Sequence, residues 1–300
     1  MSPSDFEQTI REIAADHASG ATTLVLQGIE ALLTVDIDRQ QLERAAWRLC
    51  FAQPSMAAFR TVIAIVLGAD DPAGELRGLR ERIRRAPAAI ARLAAPVIGL
   101  RRSDVEPLHL VTCSRSAAVE ETAKELARLG RVRVSCAESR PAREGVALAE
   151  ALTAAGVSVE LFSDAAIWTA LQSADAFVTG ADALASEGFV NKVGTSALAA
   201  LARALGVATF VLAGREKILP DDVFRTLDFP ERPADEIAST ALCTVRNPCF
   251  ELIPADLSGQ IITDGGVVQP AEVRGARPWT ADAVAEYMSV FRSYNMLDSN

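Results

Sequence analysis

Up to about residue 100, apolar residues recur at the three- and four-residue spacing of amphipathic helices. One such face runs through residues 6–14 and another through residues 42–49, and the alternation typical of strands is absent. We therefore predict an all-helical domain at residues 1–104. Within it, Pro87 predicts a kink or break in the arginine-rich helix that begins after Asp71.

Beyond residue 105, short apolar runs alternate with helical segments. The apolar runs are 108–113, 131–138, 157–162, 176–180 and 207–213. Strands separated by helices predict βα units, and hence an α/β domain at residues 105–300 with a doubly wound, mostly parallel sheet. Ligands of such sheets bind beyond the carboxyl ends of the strands. A last amphipathic helix after Thr280 is expected to pack on the sheet or on a partner.

The segment AFVTGADALASEGFVNKVGT, residues 176–195, concentrates the candidate chemistry. Its apolar start predicts a strand that leads into Asp182, and its end predicts a helix with Asn191 and Lys192 in the first turn. Since helix N-termini attract anions, Lys192 is a candidate phosphate ligand. A solvated surface lysine is the alternative.

Three residues near predicted strand ends are candidates for catalysis or ligand binding. Cys113 would have its thiolate stabilised by a following helix, and Asp182 would move protons from a partly desolvated loop. Arg140, which precedes a proline, would direct a guanidinium at a phosphate or carboxylate. The alternative for Cys113 is a small core residue, and for Asp182 it is a loop cap. The alternative for Arg140 is an ion pair with Glu138 or Glu144.

Composition narrows the function classes. The net charge of −9 argues against broad nucleic-acid or anionic-membrane binding, and no apolar run is long enough for a membrane span, so we expect a cytoplasmic protein. Five cysteines without a CxxC pair and only two histidines indicate neither a disulfide framework nor a metal site. The first strand is followed by neither a GxGxxG nor a P-loop motif, so no nucleotide cofactor is predicted.

Taken together, the motifs resemble a known family. They are VTCSRSAAV at 111–119, ESRPAREG at 138–145, SDAAI at 163–167, GADALASEGFVNKVGT at 180–195, AGREK at 213–217 and NPCFELIPADLSGQIITDGGV at 247–267. DHASGA and QPSM in the N-terminal half are similar to weaker motifs of the same family. The chain resembles the family related to the alpha, beta and delta subunits of translation initiation factor 2B. That family also contains ribose-1,5-bisphosphate isomerase and methylthioribose-1-phosphate isomerase.

The resemblance implies a helical domain on a Rossmann-like domain, assembled as a homodimer or larger homo-oligomer. It also implies an aldose-phosphate to ketose-phosphate isomerase in which Cys113 and Asp182 exchange protons with the sugar. The small phosphorylated sugar would be held by the residues that match the family's binding positions: Ser19, Gly20, Ala21, Arg140, Asn191 and Lys192.

Four departures from the isomerase pattern keep a second function open. Ser19 and Gln53 stand where the isomerases usually have arginines, Thr112 where they have histidine, and Glu144 where they have glutamine. A carboxylate at 144 repels a second phosphate unless Arg140 or Arg143 neutralises it. The alternative is a non-catalytic relative that binds a sugar phosphate or nucleotide and regulates a partner.

Overall fold

Helices form the N-terminal part of the computed structural model, which describes residues 3–16, 20–35, 37–101, 106–240, 242–273 and 279–297. The helices are α1 (Pro3–Ala15), α2 (Ala21–Thr34), α3 (Arg39–Ala52), α4 (Ala57–Gly68) and α5 (Pro72–Gly99). Asp38 caps α3 by accepting from the Gln41 N–H, and Asp71 caps α5 by accepting from the Gly74 N–H. None of the described helices is both long and apolar enough to cross a bilayer.

Helix α5 continues through Pro87, so the predicted break is wrong. Its first half packs in the helical core through residues such as Leu79 and Ile83, whereas Ile90 and Ile98 in its second half pack against the sheet. An internal proline costs a helix about 3 kcal/mol. Burial along both halves of this 28-residue helix offsets that cost.

The second part of the chain is a sheet flanked by helices. In chain order its elements are β1 (Leu108–Thr112), α6 (Ala117–Leu129), β2 (Val132–Ala137), α7 (Glu144–Ala154), β3 (Ser158–Phe162), α8 (Trp168–Leu171), β4 (Ala176–Gly180), β5 (Ala183–Ala185), β6 (Gly188–Lys192), α9 (Thr195–Leu205), β7 (Ala208–Leu212), α10 (Asp221–Phe224), β8 (Phe250–Pro254), β9 (Gln260–Thr263), β10 (Gly266–Val268) and α11 (Ala281–Leu297). The seven-stranded sheet has the order β10-β9-β7-β4-β1-β2-β3, and only β10 is antiparallel to its neighbour. The five predicted apolar runs all contain strands of this sheet, and the α/β prediction is confirmed.

A second sheet, of order β5-β6-β8, corrects the interpretation of the 176–195 segment. Asn191 and Lys192 lie in strand β6, and α9 begins only at Thr195, after left-handed Gly194. At Gly188, where the hairpin turns into β6, a Cβ would lie 2.0 Å from the Ile253 carbonyl oxygen, so the close approach of β8 requires glycine.

The C-terminal helix α11 packs on the N-terminal helices, and its expected packing on a partner stays a prediction. The Tyr287 ring lies 5.1 Å from the ring of Trp47 and stacks on Phe291 at 5.8 Å. The Tyr287 hydroxyl lies 3.0 Å from the Thr226 hydroxyl. The two ends of the chain therefore share one apolar core.

Candidate functional site

A cavity of about 460 Å³ lies between the N-terminal helices and the carboxyl ends of the sheet strands. The start of α2 and one face of α5 form one wall. The loops that follow β1, β4 and β7 form the other wall, with Ser114, Asp182 and Lys217 among its polar residues. A concave site at strand ends is where an open α/β sheet binds small ligands.

Cys113 and Asp182 flank the point at which the strand order reverses. Cys113 directly follows β1, Asp182 comes two residues after β4, and these strands are parallel neighbours with Val111 opposite Phe177. The carboxyl ends of adjacent parallel strands lie at the same edge of a sheet. The fold therefore brings the two candidate proton-transfer residues to one rim.

Asp182 is partly buried and lies among mixed charges. Its pKa is raised above the usual range, chiefly by burial; Lys217 opposes the rise, Glu144 adds to it and Lys192 opposes it. Its backbone is fixed by a 2.8 Å bond from its N–H to the Val190 carbonyl. A carboxyl group with a raised pKa can both take up and release a proton nearer neutral pH.

Cys113 lies just behind the cavity wall and does not line the cavity. Its Sγ is 3.4 Å from the Thr195 hydroxyl, which also accepts a 3.0 Å bond from the Asn191 amide. Burial raises the pKa of the thiol to about 11, opposed by hydrogen bonds with Thr195 and Thr179. At neutral pH the Cys113 thiol therefore keeps its proton, and the thiolate stabilisation expected from the following helix is not found.

Asn191 lines the cavity, whereas Lys192 does not. The Asn191 amide also donates a 2.9 Å bond to the Thr179 hydroxyl, which fixes its orientation. The Lys192 side chain is only 3% exposed and its Nζ lies 2.9 Å from Oε1 of Glu144. The cation that neutralises Glu144 is therefore Lys192 and not Arg140 or Arg143.

The other binding positions expected from the sequence divide in the same way. Gly20 and Ala21 line the cavity at the start of α2, and Ser19 lies outside the described residues. Arg140 is exposed and does not line the cavity, although its N–H donates a 2.7 Å bond to Asp164.

The sequence patterns predicted no binding or catalytic role for Lys217. It lines the cavity, its Nζ donates a 2.7 Å bond to the Ala181 carbonyl, and it opposes the raised pKa values of Asp182 and Glu216. In both carboxyl groups the largest cause of the rise is burial. The available signal was the position of AGREK at the end of an apolar run, the same signal that selected Cys113 and Asp182.

The chain is similar to known proteins over most of its length. A putative translation initiation factor eIF-2B subunit 2-like protein of Pyrococcus furiosus is 30% identical over 279 residues, which cover 90% of this chain and 98% of the relative. A ribose 1,5-bisphosphate isomerase of Haloferax volcanii is 28% identical over 297 residues, with 90% of each chain covered. The crystal structure of the Pyrococcus horikoshii OT3 translation initiation factor eIF-2B has a TM-score of 0.76 at 25% identity, covering 89% of this chain and 98% of that one.

The match to a family model covers residues 7–270, which include both walls of the cavity up to Phe250. Together with the relative that is 30% identical along nearly its whole length, this match establishes the relationship. The chain belongs to the initiation factor 2 subunit family.

Proposed function

We propose that the protein is a sugar-phosphate isomerase that converts an aldose phosphate to a ketose phosphate, with Cys113 and Asp182 as its proton-transfer pair. The observation that carries the proposal is the position of both residues at the rim where the strand order reverses, beside a cavity of about 460 Å³. Similarity to proteins named as ribose 1,5-bisphosphate isomerases supports the reaction class.

The two groups suit complementary steps of the reaction. Opening the sugar ring needs an acid, and the Cys113 thiol, whose pKa is about 11, holds a proton to donate. Removal of the proton at C2 needs a base, for which the Asp182 carboxylate is available. The protonated Asp182 carboxyl then gives a proton to C1 of the enediol-like species, while the C2 hydroxyl returns a proton to the Cys113 thiolate and C2 becomes the ketone carbon. Both groups thereby regain their starting protonation states.

The phosphate is proposed to bind between Lys217 on the sheet side of the cavity and the start of α2 on the other wall. Lys217 supplies an ammonium group, and Asn191 supplies an amide oxygen and a fixed amide orientation for the sugar hydroxyls. Gly20 and Ala21 begin α2, whose positive dipole end favours an anion. Lys192 is proposed to act indirectly, by holding Glu144 in place. Arg140 and Ser19 remain proposed contacts by resemblance.

A second candidate function is ligand sensing without catalysis. It is favoured by the burial of the Cys113 thiol behind the cavity wall and by the pairing of Lys192 with Glu144. In this reading the same cavity binds a sugar phosphate or nucleotide, and the bound state alters a partner. Relatives named as initiation-factor-like proteins keep it open.

A ligand screen with product analysis separates the two functions. Wild-type protein is heated with ribose 1,5-bisphosphate, methylthioribose 1-phosphate, other pentose phosphates or nucleoside monophosphates, because a bound ligand raises the melting temperature by mass action. Stabilising sugars are then incubated with the protein and analysed for the ketose. Stabilisation with product supports the isomerase, and stabilisation without product supports the sensor.

A further inference from the structure

Glu144 is held in a fixed position at the cavity wall. It is the first residue of α7, and a Cβ on the following Gly145 would lie 1.8 Å from the Ala137 carbonyl oxygen. Asp164 fixes the preceding loop by accepting two backbone N–H bonds of 2.7 Å. The backbone on both sides of Glu144 is therefore tied to neighbouring segments by close packing or by hydrogen bonds.

The two carboxylate oxygens of Glu144 have different surroundings. Oε1 lies 2.9 Å from Lys192 Nζ, whereas Oε2 is buried and has no hydrogen-bond partner among the described residues. An ionised carboxylate only accepts hydrogen bonds, and a buried acceptor without a donor is unfavourable. A ligand hydroxyl would donate to Oε2, whereas an ionised phosphate would bring only further acceptors.

The opposite wall offers a second phosphate no compensating side-chain cation. Among the described lining residues from the N-terminal helices, none is lysine or arginine, and Asp16 adds a carboxylate. The lining cations Arg115, Lys217 and Arg232 all come from the second part of the chain. Both arginines are already in ion pairs with glutamates, at 3.5 and 2.7 Å. The charge distribution therefore suits one phosphate better than two.

We propose that Glu144 is a specificity-determining residue that makes the site select a pentose with a single phosphate, whose sugar hydroxyl donates to Oε2. The inference rests on the sugar-phosphate isomerase proposed above and narrows its substrate. A site that hydrogen-bonds a substrate hydroxyl discriminates against a ligand that lacks this donor. In a bisphosphate, the second phosphate replaces that donor at the carboxylate.

The test measures dissociation constants of ribose 1-phosphate, ribose 5-phosphate and ribose 1,5-bisphosphate by calorimetry. Wild-type protein should bind one monophosphate at least tenfold more tightly than the bisphosphate, which corresponds to a difference of about 1.4 kcal/mol in binding free energy. Glu144→Gln removes the charge and offers an amide donor, so it should reduce this preference at least about tenfold. The matched control is Glu138→Gln, in the loop that precedes Glu144. The Glu138 carboxylate lies 3.9 Å from the Arg143 guanidinium, and Glu138 does not line the cavity. Its preference should equal that of the wild type.

The assignment is overturned if wild-type protein binds the bisphosphate as tightly as both monophosphates, or if a folded Glu144→Gln protein has an unchanged preference. If Glu144→Gln does not fold, the wild-type preference alone decides.

The same samples are assayed for ketose product. Turnover of the bisphosphate with a kcat/KM above that of both monophosphates contradicts the selectivity and leaves the isomerase intact. Selective monophosphate binding without product contradicts the isomerase and leaves the selectivity, and no binding of any of the three contradicts both.

Discussion

Two lysines influence Asp182 from different parts of the fold, and the structure gives them opposite environments. Lys192, at the end of β6, is 3% exposed and forms an ion pair with Glu144. Lys217, in the segment after β7, is partly exposed, lines the cavity and donates to the Ala181 carbonyl. Both oppose the raised pKa of the Asp182 carboxyl, with Lys217 the stronger influence.

The comparison shows that residue type within a motif does not settle its role. Lys192 lies in the more specific sequence motif, but its charge is neutralised inside the protein. Lys217 lies in a shorter motif, and it lines the cavity while its ammonium group donates to a backbone carbonyl. An anion gains most from a cation that is not already paired with a carboxylate.

The largest expected effect tests whether Asp182, the carboxyl group that both lysines influence, acts with Cys113 as the proton-transfer pair. Cys113→Ser and Asp182→Asn should each lower turnover at least ~10²-fold, the contribution of a positioned acid or base. A serine hydroxyl does not ionise usefully near neutral pH, and an amide cannot accept the proton. Dissociation constants measured beside kcat should change little, and unchanged turnover in either variant would remove that residue from the mechanism.

The two lysines themselves should respond differently to the same substitution. Lys192→Met leaves Glu144 without its partner and should lower the free energy of unfolding by about 2 kcal/mol, somewhat below the loss for fully buried pairs. Lys217→Met should instead weaken sugar-phosphate binding about tenfold, as expected for the loss of one charge-assisted contact. Urea unfolding and calorimetry on both variants give the comparison. The reverse result, with Lys192→Met affecting binding alone, would exchange the roles assigned to them.

The smallest effect is a pH-dependent stability difference at Asp182. Because burial raises the pKa of this carboxyl in the folded protein, the stability that its protonated form contributes is complete below about pH 4, the unfolded value. That stability is lost as the pH rises through the folded pKa. Asp182→Asn cannot ionise, so its stability relative to wild type should increase from pH 4 towards neutrality, by about 1.4 kcal/mol for each unit of pKa displacement. A difference that stays constant with pH would contradict the burial of the charge.

Much of the fold follows from apolar periodicity in the sequence. The runs that became β1 and β4 place Cys113 and Asp182 at adjacent strand ends, so their shared rim was predictable. Periodicity failed in the alanine-rich region around Lys192, where Asn191 and Lys192 were predicted to lie in the first turn of a helix. Helix α9 begins only at Thr195 and buries Leu198 and Ala202. A run of alanine and leucine has too little polar contrast to fix where such a helix begins.

Long-range pairing was beyond the sequence patterns. Strand β6 forms because it pairs with β8, some 60 residues later in the chain, with Asn191 opposite Glu251. The Lys192–Glu144 ion pair likewise joins two segments that sequence spacing does not relate. Ionic partners of this kind depend on tertiary contacts, so the sequence could indicate the charged residues but not which of them would be neutralised.

The central claim is that Cys113 and Asp182 exchange protons with a bound sugar phosphate, and solvent isotope incorporation tests it most directly. Wild-type protein is incubated in deuterium oxide with each sugar phosphate that stabilises it, and the recovered sugars are analysed by mass spectrometry and NMR. The account predicts a ketose product with deuterium bonded to carbon at C1, formed by wild-type protein and at least ~10²-fold more slowly by Cys113→Ser and Asp182→Asn. Bound sugar that shows neither isomerised product nor carbon-bound deuterium would contradict the claim and leave ligand sensing as the function.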